Sequence, residues 1–240
     1  MKKHALSTRL WHWINAAAII VLFMSGLNIS NAHPYLYWGD YGFAPSDAWL
    51  KVVKFPGWAT IPGHYNLAAA RDWHILAAWP FGLGLAFIWA AMLLNRHFRR
   101  DLATRPSDWT PAALRASLQA HGAGGHAAGA LYNPVQKILY GLVLGVLLPL
   151  MLMTGLAISP GFEPVAPWLV DLLGGRQSAR SLHFLTAWAI FGFFVIHILL
   201  ALANGRLILE MVTGGRRAAE PPAGAAMAAA APPLEGAPHG

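Results

Sequence analysis

The chain has 240 residues, 56% of them hydrophobic and 11% charged, with a net charge of +7 and no cysteine. A soluble domain carries charge on about a quarter of its residues, so this composition excludes an ordinary globular protein and places the chain in a bilayer. The absence of cysteine excludes disulfides, thiolate-held iron–sulfur clusters and covalently attached c-type haem, and nothing in the basic excess suggests nucleic acid.

A hydrocarbon core about 30 Å thick takes about 20 helical residues to cross. Residues 10–29, 75–94, 138–158 and 182–203 meet that length without Asp, Glu, Lys or Arg, and they predict transmembrane helices over about 10–29, 73–94, 136–158 and 182–203. The runs are continuous, whereas barrel strands come as alternating pieces of about 10 residues. The expectation is an all-α integral membrane protein, a bundle of four transmembrane helices.

The first run imitates a signal peptide, with Lys2 and Lys3 before it and Ser30-Asn31-Ala32 after it. It is interrupted by His12 and Asn15 and has full spanning length, so it is read as a retained helix. The connection at 30–71 is dense in Pro34, Tyr35, Tyr37, Trp38, Tyr41, Phe43, Trp49, Phe55 and Trp58, suited either to docking a partner or to capping the bundle. The second run holds Pro80, Gly82 and Gly84, and the third Gly141, Gly145 and Pro149. Prolines inside spans predict kinks whose freed carbonyls find other donors. The GxxxG at Gly141 and Gly145 predicts close helix packing or room for a flat ligand.

Between the second and third runs, Thr110 and Pro111 predict a short surface helix reaching Leu118. The glycine-rich QAHGAGGHAAG that follows, with His121 and His126, reads as a linker. Residues 213–240, rich in Ala, Pro and Gly, are expected to be a disordered tail. Trp11, Trp13, Trp73, Trp109 and Trp168 are expected at the membrane–water interfaces.

Lys and Arg set orientation. Lys2, Lys3, Arg9, Arg96, Arg99, Arg100, Arg105, Arg115, Lys137, Arg206, Arg216 and Arg217 lie on one side, against Lys51, Lys54, Arg71, Arg176 and Arg180 on the other. Both termini are therefore expected in the cytoplasm, with the loops at 30–71 and 159–181 outside.

Four histidines lie within or at the edge of the runs: His12, His74, His183 and His197. Fourteen helical residues span about 21 Å and return to within about 40° of the same face, so His183 and His197 share a face at two depths. Depth then pairs His12 with His197 on the cytoplasmic side and His74 with His183 on the external side. Polar groups in a bilayer face the bundle interior with partners. A lone histidine of this kind is more often hydrogen-bonded than a ligand, but two stacked pairs are what two bis-histidine b haems need. Arg9, Arg71 and Arg180 each stand three residues before a ligand candidate. They share its helix face and are candidate contacts for haem propionates, the alternative being headgroup-level arginines. His64 lies ten residues before His74, but its Pro-Gly-His-Tyr setting reads as loop.

The stretches TRLWHWINAAAII, NAHPYLYWGDYGF, AARDWHILAAW, YNPVQKILYGLVLGVLLPLMLMTGLAISP and GGRQSARSLHFLTAW resemble the prokaryotic cytochrome b561 superfamily. The likeness covers about residues 7–212 and points to the thiosulfate-reductase-like branch, related to the b-type subunits of nickel–iron hydrogenase and formate dehydrogenase. The resemblance implies a di-haem membrane domain over 1–212, in the bacterial cytoplasmic membrane. It would exchange electrons between the quinone pool and an external redox partner, often a molybdopterin-dependent oxidoreductase, as a subunit rather than a stand-alone enzyme. No residue is assigned to quinone. Two alternatives are a stand-alone quinone-linked oxidase or reductase of the same fold and a histidine-based proton or metal transporter. Against the transporter stand the absence of an intramembrane carboxylate and of a visible two-half repeat.

Overall fold

The computed structural model describes residues 6–40, 44–94, 104–122, 134–203 and 205–215. Tyr41, Phe43, Arg96, Arg99, Arg100, His126 and the tail from 216 onward lie outside the described residues, as do the side chains of Leu118, His121 and Arg206. Four helical spans are long and apolar enough to cross a membrane. They are α1 (Leu6–Ala32), α2 (Leu67–Leu94), a composite third span, and α7 (Arg176–Ala203). The third span joins α4 (Pro134–Leu142), a π-helical turn (Val143–Leu147) and α5 (Leu148–Ala157). Shorter helices are α3 (Pro111–Gly122), α6 (Pro167–Leu172) and α8 (Gly205–Thr213). α1 packs chiefly on α2, and α5 on α7, so the bundle is two helical hairpins laid face to face.

Two spans, α2 and α7, outrun the uncharged stretches that located them because polar groups hold their entries. α2 begins at Leu67 because the Asn66 side chain accepts a hydrogen bond from the Ala69 N–H at 3.0 Å, an N-cap that hydropathy does not see. α7 begins at Arg176, directly after Gly174 and Gly175, whose φ values of +76° and +102° turn the chain into it. The surface helix α3 starts as expected, Thr110 Oγ1 accepting from the Ala113 N–H at 3.3 Å.

Pro149 explains the π-helical turn. The N–H of Leu148 reaches back to the carbonyl of Val143, so in the same register the Leu144 carbonyl would need the N–H of residue 149, which proline lacks. Trp89 on α2 supplies the donor instead, its Nε1–H lying 3.2 Å from the Leu144 oxygen. The GxxxG does not mediate close helix packing. A Cβ at Gly141 or Gly145 would meet nothing within 4 Å, whereas one at Gly84 would fall 2.7 Å from Trp11 Nε1. The close approach is thus between α2 and α1. It also corrects the reading of Trp11 as an interface anchor, because its indole N–H is buried.

The connection from α1 to α2 forms a cap. A short antiparallel pair, β1 (Tyr35–Leu36) and β2 (Leu50–Lys51), places Tyr35 opposite Lys51. The first N–H groups of a helix have no partner within it, and here the carbonyl of Gly39 accepts from the N–H groups of Gln177 and Ser178 at 3.0 and 3.2 Å. Ser178 Oγ accepts in turn from the Gly39 N–H at 2.8 Å. Trp49 Nε1–H donates to Ser181 Oγ, which donates to the Tyr37 carbonyl. From α1, the fully buried Asn28 donates to the carbonyls of Pro62 and His64, both at 2.9 Å. Trp58 remains 85% exposed, leaving aromatic surface on the cap's outer side. At the opposite end Arg9 donates to the carbonyls of Met211 and Val212 at the close of α8, so both ends of the described chain meet there.

Candidate metal centres

The hairpins bring the four histidines together as depth predicted. The ring centroids of His74 on α2 and His183 on α7 lie 6.2 Å apart, and those of His12 on α1 and His197 on α7 lie 6.3 Å apart. A ligating imidazole nitrogen sits about 2 Å from a transition metal and about 1 Å from its own ring centre, so rings on opposite sides of one metal have centroids about 6 Å apart. Both pairs have that separation. Among the described residues no cluster of three or more His, Cys, Asp or Glu could hold a bare ion. Two opposed imidazoles suit instead a group that brings its own in-plane ligands, as haem does.

Each histidine at the cap end is held by a hydroxyl. Ser25 donates to the Val21 carbonyl at 2.6 Å, and its oxygen lies 3.0 Å from His74 Nδ1. Thr154 donates to the Leu150 carbonyl at 2.7 Å, and its oxygen lies 3.0 Å from His183 Nδ1. The next residue in both cases is a glycine, and a Cβ there would lie 3.6 Å from His74 Cε1 (Gly26) or 3.4 Å from His183 Cε1 (Gly155). The hydroxyl therefore faces the ring nitrogen while the glycine leaves room for the ring edge.

These contacts expose a repeat that the sequence reading did not find. Met24-Ser25-Gly26-Leu27 on α1 matches Met153-Thr154-Gly155-Leu156 on α5. On the second helix of each hairpin, Ala70, Arg71, His74, Leu76, Ala78 and Trp79 match Ala179, Arg180, His183, Leu185, Ala187 and Trp188. The hairpins run in the same direction, so this is a parallel repeat about an axis along the membrane normal, and the lack of a repeat no longer counts against a transporter. The repeat went unseen because the two helices of each hairpin are joined by connections of unequal length, with Ser25 and His74 49 positions apart but Thr154 and His183 only 29. The repeat lapses at the other end, where Gly141 stands in the position of His12 and Ile88 in that of His197.

Between the two histidine pairs the hairpins meet through aromatic rings. Phe23 on α1 stacks on Phe191 of α7 at 4.1 Å with planes 2° apart, and Trp188 packs edge-on to Phe23 at 5.2 Å. At the His12 pair, Phe193 stacks on His197 at 5.9 Å. His12 Nδ1 is buried without a partner among the described residues.

The cap end is basic. Arg176 and Arg71 both repel Arg180 electrostatically there, and neither ion pair among the described residues, Arg176–Glu163 and Lys137–Asp108, involves Arg71 or Arg180. His33, just beyond α1 in the connection at 30–71, belongs to this cluster although no role was expected of it. Burial, then Arg180 and Arg71, push its imidazole below the usual histidine range, and its Nε2 is buried without a partner among the described residues. Such uncompensated positive charge suits an anionic group. His64, by contrast, is exposed and contributes its backbone carbonyl to Asn28.

A four-helix membrane bundle with opposed imidazole pairs at two depths has the architecture suited to metal-centred groups held between helices. The chain belongs to the prokaryotic cytochrome b561 family, which it matches over residues 3–214. It is 27% identical over 211 residues to a putative protein-methionine-sulfoxide reductase subunit of Azospira oryzae, covering 86% of this chain and 93% of the relative. It is 25% identical over 226 residues to a probable Ni/Fe-hydrogenase B-type cytochrome subunit of Cupriavidus necator, covering 87% of this chain and 83% of the relative. No solved structure matches it. Membership identifies a membrane haem cytochrome of the kind that serves redox enzymes, and a cytochrome b carries b-type haem.

Proposed function

We propose that this chain is a di-haem b-type cytochrome subunit of the bacterial cytoplasmic membrane, exchanging electrons between the quinone pool and a redox partner on the external side. The observation that carries the reading is the presence of two imidazole pairs, each about 6 Å between ring centres, at opposite ends of one bundle. His74 and His183 would hold the external haem, and His12 and His197 the cytoplasmic one. Haem supplies one-electron redox chemistry, tuned by axial ligands, hydrogen bonding and burial.

The chain's own groups fit that assignment. Arg71 and Arg180, free of ion pairs among the described residues, would take the carboxylates of the external haem. Arg9 donates through Nε and Nη2 to the carbonyls that end α8, so Arg71 and Arg180 fit the propionate role better than Arg9 does. The distribution of Lys and Arg supports cytoplasmic termini. The names of both relatives, each a subunit of an oxidoreductase, support a partner enzyme. Its docking surface would be the outer face of the cap around Trp38, Trp49 and Trp58, where the first two rings stack at 5.3 Å. A molybdopterin-dependent partner is the class that the sequence resemblance favours.

The test is reduction of the purified cytochrome in nanodiscs by a quinol, followed by reoxidation with an impermeant acceptor. We expect both haem absorbances to respond to quinol. Haem that is chemically reducible yet inert to every quinol would contradict the quinone-linked role.

A further inference from the structure

Histidine has two ring nitrogens, and which one binds metal depends on where the proton on the other is held. A serine or threonine hydroxyl has one proton to give and two lone pairs to accept with. Ser25 spends its proton on the Val21 carbonyl and Thr154 on the Leu150 carbonyl, each one turn back on its own helix. The hydroxyl oxygen is thereby left to accept, and the group 3.0 Å away is Nδ1 of the ligand histidine on the facing helix of the same hairpin. The carbonyls of Leu22 and Met151, at equivalent places in the repeat, also face these two rings. Nδ1 must then carry the proton in both, leaving Nε2 with its lone pair free. At the other pair, His12 Nδ1 is buried with no acceptor among the described residues.

We infer that Ser25 and Thr154 are positioning residues that lock His74 and His183 as Nδ1–H tautomers and set the reduction potential of the external haem apart from that of the cytoplasmic one. The inference rests on the haem assignment above. A hydrogen bond accepted from Nδ1–H makes the imidazole a stronger electron donor, and groups that orient metal-bound histidines in this way alter affinity by about 10- to 100-fold when removed. A stronger donor favours ferric over ferrous iron, so both hydroxyls hold the external potential down. The same device occurs once in each hairpin, on helices joined by different loops, so it is a property of the site rather than of one local turn.

The experiment is a spectroscopic potentiometric titration of the purified cytochrome as wild type, Ser25→Ala, Thr154→Val and the conservative Thr154→Ser. The external component is assigned as the one missing in His183→Ala. In Ser25→Ala and Thr154→Val the external component should shift upward by about tenfold in ferric-to-ferrous preference, which is about 59 mV for one electron. The cytoplasmic component should stay in place, and Thr154→Ser should restore the wild-type value. Selective loss of the external haem in Thr154→Val, rescued in Thr154→Ser, would support the same role. Full haem content with neither component moved, or both components moved equally, would overturn it. A wild-type protein without haem would instead sink the haem assignment itself.

Discussion

His183→Ala is expected to leave a folded protein with about half the wild-type haem, since loss of one of two axial side chains empties one site and spares the other. His183 packs against His74 and takes its orientation from Thr154, while His197, fourteen residues further along α7, faces His12. The substitution removes a ligand without touching the other pair. His197→Ala should produce the complementary loss, and the two variants should retain spectrally different haems. His64→Ala is the matched control, because that exposed residue takes part through its carbonyl alone. Haemochrome stoichiometry reads all three. Retention of both haems in His183→Ala would overturn the pairing.

Gly175→Ala is expected to destabilise the cap severely. Gly175 has φ +102°, a region that costs other residues roughly 1–3 kcal/mol. A Cβ there would fall 2.4 Å from Asp40 Oδ1 and 2.5 Å from the Gly39 carbonyl carbon. Relieving such overpacking typically costs a further 1–3 kcal/mol or so. The displaced turn is the one whose Gly39 carbonyl holds the first N–H groups of α7, two turns before His183. We therefore expect a clearly lowered thermal midpoint in detergent together with weakened retention of the external haem. Gly161→Ala, where a Cβ meets nothing within 4 Å, should match wild type. Equal midpoints for the two variants would contradict the description of the turn.

The four spans were legible because hydropathy reports on the solvent, and a bilayer imposes one length on every crossing. The histidine pairing was legible for a related reason: depth in a membrane follows from position along a helix. What hydropathy could not show were the groups that end helices, such as Asn66 before α2 and the Gly39 turn before α7, since these depend on a partner's lone pair and not on polarity. Ser25 and Thr154 were passed over because a hydroxyl bonded to its own helix looks, in sequence, like any tolerated polar residue in a span. The repeat that joins them was readable in MSGL and MTGL, and its signal was there to be compared once the second helices were slid past each other by a different offset. The close packing expected at Gly141 and Gly145 is not found, because spacing alone does not say which face of a helix meets a neighbour. His33 was missed because its basic neighbours come from α2 and α7, far away in the chain.

The paired imidazoles are proposed to hold two b haems. A pyridine haemochrome assay on the purified chain, expressed with ample haem and set against protein concentration, tests it most directly. Non-covalent haem b at two per chain is the expected result. One haem per chain, or none, would contradict it.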